Sequence, residues 1–206
     1  MSDEVRDQTE STEPDGRKRR RQQSREAILR AMADAIVEPD FQPSPEYLAA
    51  RSGYSISTIF RHFGGRDGLA VAVQDLVRRR IDEHLAEVPY DGDLPARVSE
   101  LVRRAAAVFE TASPFLRAVE PDRQRMIGDR ARLILDMRIR CQIEDALSSE
   151  LAVERGGTID LLAAVLSIGT WGHIRAAQNQ EVEPATELME TAVLRLLELP
   201  GTASQD

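Results

Sequence analysis

Leu48-Ala49-Ala50-Arg51-Ser52-Gly53-Tyr54-Ser55-Ile56-Ser57-Thr58-Ile59-Phe60-Arg61-His62-Phe63, continued by Gly64-Gly65-Arg66-Asp67-Gly68-Leu69, is the stretch that decides the fold. Ahead of it, Ser44-Pro45-Glu46 reads as an N-cap, a proline at the first helical position and an acid in the first turn. Gly53 permits a left-handed turn, Ser55 caps a second helix, and Gly64-Gly65 ends it. Two short helices joined so tightly fit a helix-turn-helix, whose second helix enters the major groove.

Upstream, after Ser24 as an N-cap, Ala27, Ile28, Ala31, Met32, Ala35 and Ile36 recur at helical spacing until Pro39. Leu48, Ala49, Ile59 and Phe63 form the apolar seam expected to lock the short helices onto Ile28, Met32 and Ile36. Downstream, Asp67 starts a longer helix carrying Leu69, Val73, Leu76, Val77, Ile81 and Leu85. Val88-Pro89-Tyr90-Asp91-Gly92-Asp93, with Pro95, is a turn-rich break and the natural domain boundary. Beyond it the pattern predicts helices over 95–111, 113–119, 122–151, 158–179 and 184–198, with no sustained strand alternation and no solenoid-length repeat.

The expected organisation is therefore all-α, with about nine helices in total. A disordered acidic and then basic arm covers 1–21, a helix-turn-helix domain 22–68, a connecting helix 69–88, a second helical domain 89–200 and a flexible tail 201–206.

Charge is distributed unevenly. The 206-residue chain carries a net −8, yet residues 16–80 hold thirteen basic against seven acidic groups, while residues 1–15 sum to −5 and residues 81–206 to −9. A basic segment inside an acidic chain is what a polyanion-binding module requires, since phosphate neutralisation supplies the sequence-independent part of nucleic-acid affinity; a solvated face is the alternative for an arginine cluster alone. Lysine occurs only at Lys18, so basicity here means arginine, whose planar fork suits phosphates and guanine edges.

One cysteine, Cys141, excludes a disulfide framework. His62, His84 and His173 lie far apart without metal-ligand spacing, and neither a phosphate-binding glycine loop nor a nucleophile elbow is present. No enzyme activity, metal or cofactor is expected. Without a bilayer-length apolar run or a signal pattern, a cytoplasmic location and no membrane partner are expected.

The quoted stretch resembles the TetR family of transcriptional regulators, whose pattern runs Ile/Leu-Ala-x-x-Ala-Gly-Val-Ser, a variable pair, Thr-Leu-Tyr-x-His-Phe, then a Lys/Arg-Glu/Asp-x-Leu helix start. The likeness covers residues 24 to 70 in detail and the remainder only in length and helical character. It implies a homodimeric DNA-binding regulator, a ligand-released repressor that recognises a near-palindromic operator. The alternative is a dimeric regulator without a small-molecule effector, its second domain serving assembly or a protein partner.

DNA contact is expected from Ser44 and Tyr47 on the first short helix, from Tyr54, Ser55, Ile56, Ser57, Thr58, Phe60, Arg61 and His62 around the second, and from Arg66. Arg19, Arg20 and Arg21 are expected to follow the minor groove or neighbouring phosphates, ordering only on binding. Two positions depart from the family pattern. Ile56 stands where Lys, Arg or Gln is common and fits a thymine methyl, and Phe60 replaces Tyr and cannot donate to phosphate, which leaves Arg61 the strongest candidate for a charged contact.

In the second domain the resemblance implies that the last two helices pair with their symmetry mates, which points to Leu162, Leu166, Gly169, Leu188, Ala192 and Leu196 as the dimer interface; an intramolecular core is the other use of such residues. An effector of unknown identity would be lined by Phe109, Phe115, Met126, Met137, Cys141, Trp171 and His173.

Overall fold

The computed structural model describes residues 13–36, 44–85, 88–118, 129–151 and 157–198, all helical or connecting, with no strand among them. None of the described helices is long and apolar enough to cross a membrane. Contacts divide the chain into two compact units between Leu76 and Val77.

The first unit holds α1 (Glu13–Ile36), α2 (Pro45–Ser52), α3 (Ile56–Phe63) and the start of α4 (Arg66–His84). Ile28, Met32 and Ala35 of α1, Leu48 of α2 and Ile59 of α3 lose all exposure where the three helices pack together, and Phe63 is nearly buried. Each such large apolar side chain contributes about 1.5–3 kcal/mol of burial. The predicted seam is thus present at Leu48, Ile59 and Phe63 against Ile28 and Met32, whereas Ala49 is half-buried and the side chain of Ile36 lies outside the described residues.

Two local expectations change in this unit. Helix α1 begins at Glu13, so Arg17 to Arg21 lie on a helix and not in a disordered arm. Ser24 is interior to it, its hydroxyl donating to the Arg20 carbonyl at 3.0 Å instead of capping an N-terminus. Continuity with an amphipathic segment extends a helix through a basic run that could not nucleate one alone.

The second unit contains α5 (Leu94–Ala118), α6 (Asp129–Ala146), α7 (Ser148–Leu151), α8 (Thr158–Val165), α9 (Ile168–Gly172) with a π turn over His173–Ala177, and α10 (Val182–Glu198). Helix α5 packs against α6, α9 and α10, and α8 against α6 and α10. Their core includes Leu101, Val108, Phe109, Ile139, Ile143, Leu162, Trp171, Met189 and Val193. Arg97 clamps Glu150 bidentately at 2.6 and 3.1 Å, and Arg140 bridges α6 to Asp160 of α8 at 2.5 Å.

Here too the helix boundaries differ from expectation. The break predicted after residue 111 is absent; α5 continues through Ser113 and carries Pro114 in its interior. The helix predicted over 158–179 is interrupted, because Leu166 leaves helical geometry at ψ 47° and Ser167 caps α9, its Oγ accepting from the Thr170 amide at 3.2 Å. Five residues of π turn then complete the segment. The predicted helix over 122–151 falls partly outside the described residues, and the rest divides at Leu147.

Candidate nucleic-acid interface

Helix α2 starts where Ser44 Oγ accepts from the Tyr47 amide at 3.1 Å, and it stops at Gly53, whose φ of 73° returns its N–H to the Ala49 carbonyl. Helix α3 repeats the construction. Ser55 Oγ accepts from the Thr58 amide at 3.3 Å, and Gly64, at φ 76°, sends its N–H to the Phe60 carbonyl at 2.7 Å.

Because Ile59 and Phe63 are buried, the opposite side of α3 is fixed as its outer face. Ser57 and Arg61, four residues apart, are exposed there; Ile56, Thr58, Phe60 and His62 are half-buried along its edges. At the N-terminal end, Ser55 Oγ lies 3.0 Å from Ser57 Oγ and donates to Thr58 Oγ1 at 3.0 Å. Three hydroxyls therefore cluster where α3 presents free backbone N–H groups, an arrangement suited to phosphate oxygens. Ser44 and Tyr54 are half-buried and Arg66 is exposed. Tyr47 is half-buried, with the Arg51 guanidinium 5.8 Å from its ring centroid.

At the C-terminal end, burial and then the charges of Arg61, Arg21 and Arg25 hold the His62 imidazole below the usual histidine pKa. Its Nδ1 is buried and makes no hydrogen bond within the described residues. The guanidinium of Arg25 lies over the Phe63 ring, 5.1 Å from its centroid. No motif marks Arg25; its spacing of four and seven from Arg21 and Met32 is the sequence signal that places it on this side of α1.

The second-unit candidates do not converge. Phe109 and Trp171 are fully buried against each other, ring centroids 6.1 Å apart, while Met137 is 60% exposed and Cys141 and His173 are also on the surface. Phe115 is half-buried, and Met126 lies outside the described residues. A single inner pocket lined by this set is therefore not formed, because Met137 and Cys141 sit on the outward side of α6 from Leu135, Ile139 and Ile143. Trp171 Nε1 instead donates to Glu110 at 2.8 Å, and Arg175 pairs with the same carboxylate at 3.0 Å, tying the π turn to α5.

The expected dimer residues also separate. Leu162 and Leu166 are wholly buried in the chain's own core and have no surface to offer a partner. Leu188 is 46% exposed, Gly169 is exposed, and Ala192 and Leu196 are half-buried. Ala192 and Leu196 line an open groove of about 480 Å³ with Val165, Arg195 and Glu198.

No family model matches the chain, and no curated protein matches it. Among solved structures, a chain from Rhodococcus sp. provisionally described as a TetR-family transcriptional regulator superposes with a TM-score of 0.58 at 20% identity, covering 85% of this chain and all of that one. The fold expected from the helix-turn-helix stretch is accordingly the fold observed.

Proposed function

From a fold shared with a TetR-type structure, we propose that the protein is a DNA-binding transcriptional regulator, a repressor acting as a homodimer on a near-palindromic operator. One observation supports it above the others: α3 is capped at both ends, anchored by Ile59 and Phe63, and turns Ser57 and Arg61 outward, with the exposed Ser55 hydroxyl beside Ser57 at its start. A helix held this way meets a major groove without a folding cost. Hydroxyls and N–H groups at its start set register on phosphates, and Arg61 reads a base edge or a phosphate.

Dimerisation has a geometric rationale, because two recognition helices roughly 34 Å apart match successive major grooves on one side of B-DNA. The surface that supports it is the outer side of α8 and α10, where Leu161 is 55% and Leu188 46% exposed beside the Val165–Ala192–Leu196 groove. Exposed apolar area of this kind on helices that also form a core is characteristic of an unfilled interface.

Ligand release would act through α4, whose residues belong to both units; a coupling of about 1–3 kcal/mol suffices for a 5- to 150-fold change in affinity. The dispersal of the expected pocket residues favours the second reading, in which the second unit serves assembly or a protein partner and no small molecule intervenes. Selection of bound duplexes from a random pool tests the proposal: it predicts a two-fold-related consensus, and recovery of unrelated sequences contradicts it.

A further inference from the structure

Along α1, Arg17, Arg21 and Arg25 precede Ile28, Met32 and Ala35 at spacings of four, four, three, four and three residues. With about 3.6 residues per turn, all six fall on one side of the helix. Ile28, Met32 and Ala35 are buried where α1 packs on α2 and α3, whereas the three arginines are exposed. The side of α1 that faces the helix-turn-helix thus changes from apolar to cationic within one turn. That change occurs at the level of Phe63, the last residue of α3, whose ring lies beneath Arg25. Arg21 and Arg25 are also near enough to His62 to depress its pKa. Lys18, three residues before Arg21 and seven before Arg25, shares this side, whereas Arg20 lies about 60° beyond Arg17 and Arg19 about 120° from Arg25.

We infer that Arg17, Arg21 and Arg25 form a rigid helical ridge that continues the α3 surface and binds the sugar-phosphate backbone of duplex DNA flanking the bases that α3 meets. The inference rests on the DNA-binding reading of α3 and adds to it a second, sequence-blind contact. Successive members of the ridge rise about 6 Å along the helix axis. A duplex offers one phosphate charge per roughly 1.7 Å of its own axis, so each arginine has a phosphate within reach. A guanidinium takes a phosphate in two parallel hydrogen bonds, which suits a row made mainly of arginine. Since the ridge is already helical, it binds without the ordering cost that a flexible arm bears. Its contribution raises affinity for every duplex and lengthens the protected segment, while the consensus stays as α3 sets it.

The test compares two charge-matched double variants of the full chain, Arg17→Gln with Arg21→Gln and Arg30→Gln with Arg79→Gln, the latter both exposed and off this side of α1, on a long random-sequence duplex over a salt series. Circular dichroism confirms equal helicity. The first pair is expected to lower the slope of log affinity against log salt by about 0.9 for each phosphate contact removed, and the second to leave it near the wild-type value. Equal losses from both pairs, or no loss from either, would overturn the ridge, as would wild-type binding to phosphatidylserine vesicles that exceeds binding to the duplex. A wild type that retains salt-dependent binding lost in Arg61→Ala but indifferent to Arg17 and Arg21 refutes the ridge alone; a wild type that binds no duplex refutes both it and the reading beneath it.

Discussion

Arg25 lays its guanidinium over the ring of Phe63, 5.1 Å from the centroid, and so joins the cationic side of α1 to the buried end of α3. Phe63 supplies apolar burial and Arg25 a cation-to-ring attraction, so the two parts are separable by substitution. Arg25→Met, which keeps the aliphatic stem, is expected to lower unfolding stability by about 0.5–1 kcal/mol, against about 3–5 kcal/mol for Phe63→Ala. Chemical denaturation measures both; an unchanged midpoint in Arg25→Met would show that the stack contributes nothing.

If α3 meets DNA as proposed, His62 is expected to make duplex binding pH-dependent. In the free protein, burial and the neighbouring Arg61, Arg21 and Arg25 lower its pKa, so it is neutral near pH 7. A phosphate beside it opposes those charges and raises the pKa of the complex, so binding takes up a proton. Affinity should therefore rise as pH falls through the usual histidine range and level off once the free protein is protonated as well. Fluorescence anisotropy across that range measures it, and His62→Gln should flatten the profile; a slope that persists in His62→Gln assigns the proton elsewhere.

The lowered pKa also has a consequence for stability. The unfolded chain binds a proton at His62 more readily than the folded one, so this contribution is complete above the usual histidine pKa and is lost as pH falls below it. Binding and folding thus respond in opposite directions to acid, and the two must be measured on the same samples.

Gly68 is required by close approach. A side-chain carbon added there would collide with the Phe63 backbone carbonyl, whereas one added at Gly172 meets nothing. Gly68→Ala is expected to cost about 1–3 kcal/mol, as overpacking does. Gly172→Ala, at a helical φ of −58°, should be neutral or stabilise by up to about 1 kcal/mol. Thermal unfolding of the two variants separates them, and equal midpoints would contradict this account of Gly68.

How far the sequence discloses this structure follows from where local chemistry is decisive. The caps at Ser44 and Ser55 and the turns at Gly53 and Gly64 were legible because each is a side-chain or φ requirement contained within four residues. The interruption at Ser167 was not, although Ser167 to Thr170 is a capping pair, because Leu162, Leu166 and Ile168 continue the apolar pattern across it. Likewise, apolar residues at helical spacing do not say which copy of the chain covers them; Leu162 and Leu166 serve the intramolecular core, while Leu161 and Leu188 stay outside it. The start of α1 is not legible in arginine-rich composition alone, because it depends on the register of Arg17, Arg21 and Arg25 with Ile28 and Met32.

The outer side of α8 and α10 leads to a further expectation. Leu188→Glu with Leu161→Glu should yield a folded monomer by sedimentation, with circular dichroism unchanged, since both side chains are largely exposed within one chain. Leu162→Ala should instead cost about 2–5 kcal/mol of stability and leave association intact until the chain unfolds. An unaltered dimer in the double variant would place the interface elsewhere.

Mobility shift of a selected duplex with wild type and Arg61→Ala, at low and near-physiological salt, tests the central claim that the exposed side of α3 meets DNA. The account predicts wild-type binding that weakens steeply with salt, and a loss in Arg61→Ala that is larger for the selected duplex than for a scrambled one, by about 1–3 kcal/mol if Arg61 reads a guanine edge. Equal losses on both duplexes would reduce Arg61 to a phosphate contact, and a wild type that shifts no duplex at either salt concentration would contradict the claim.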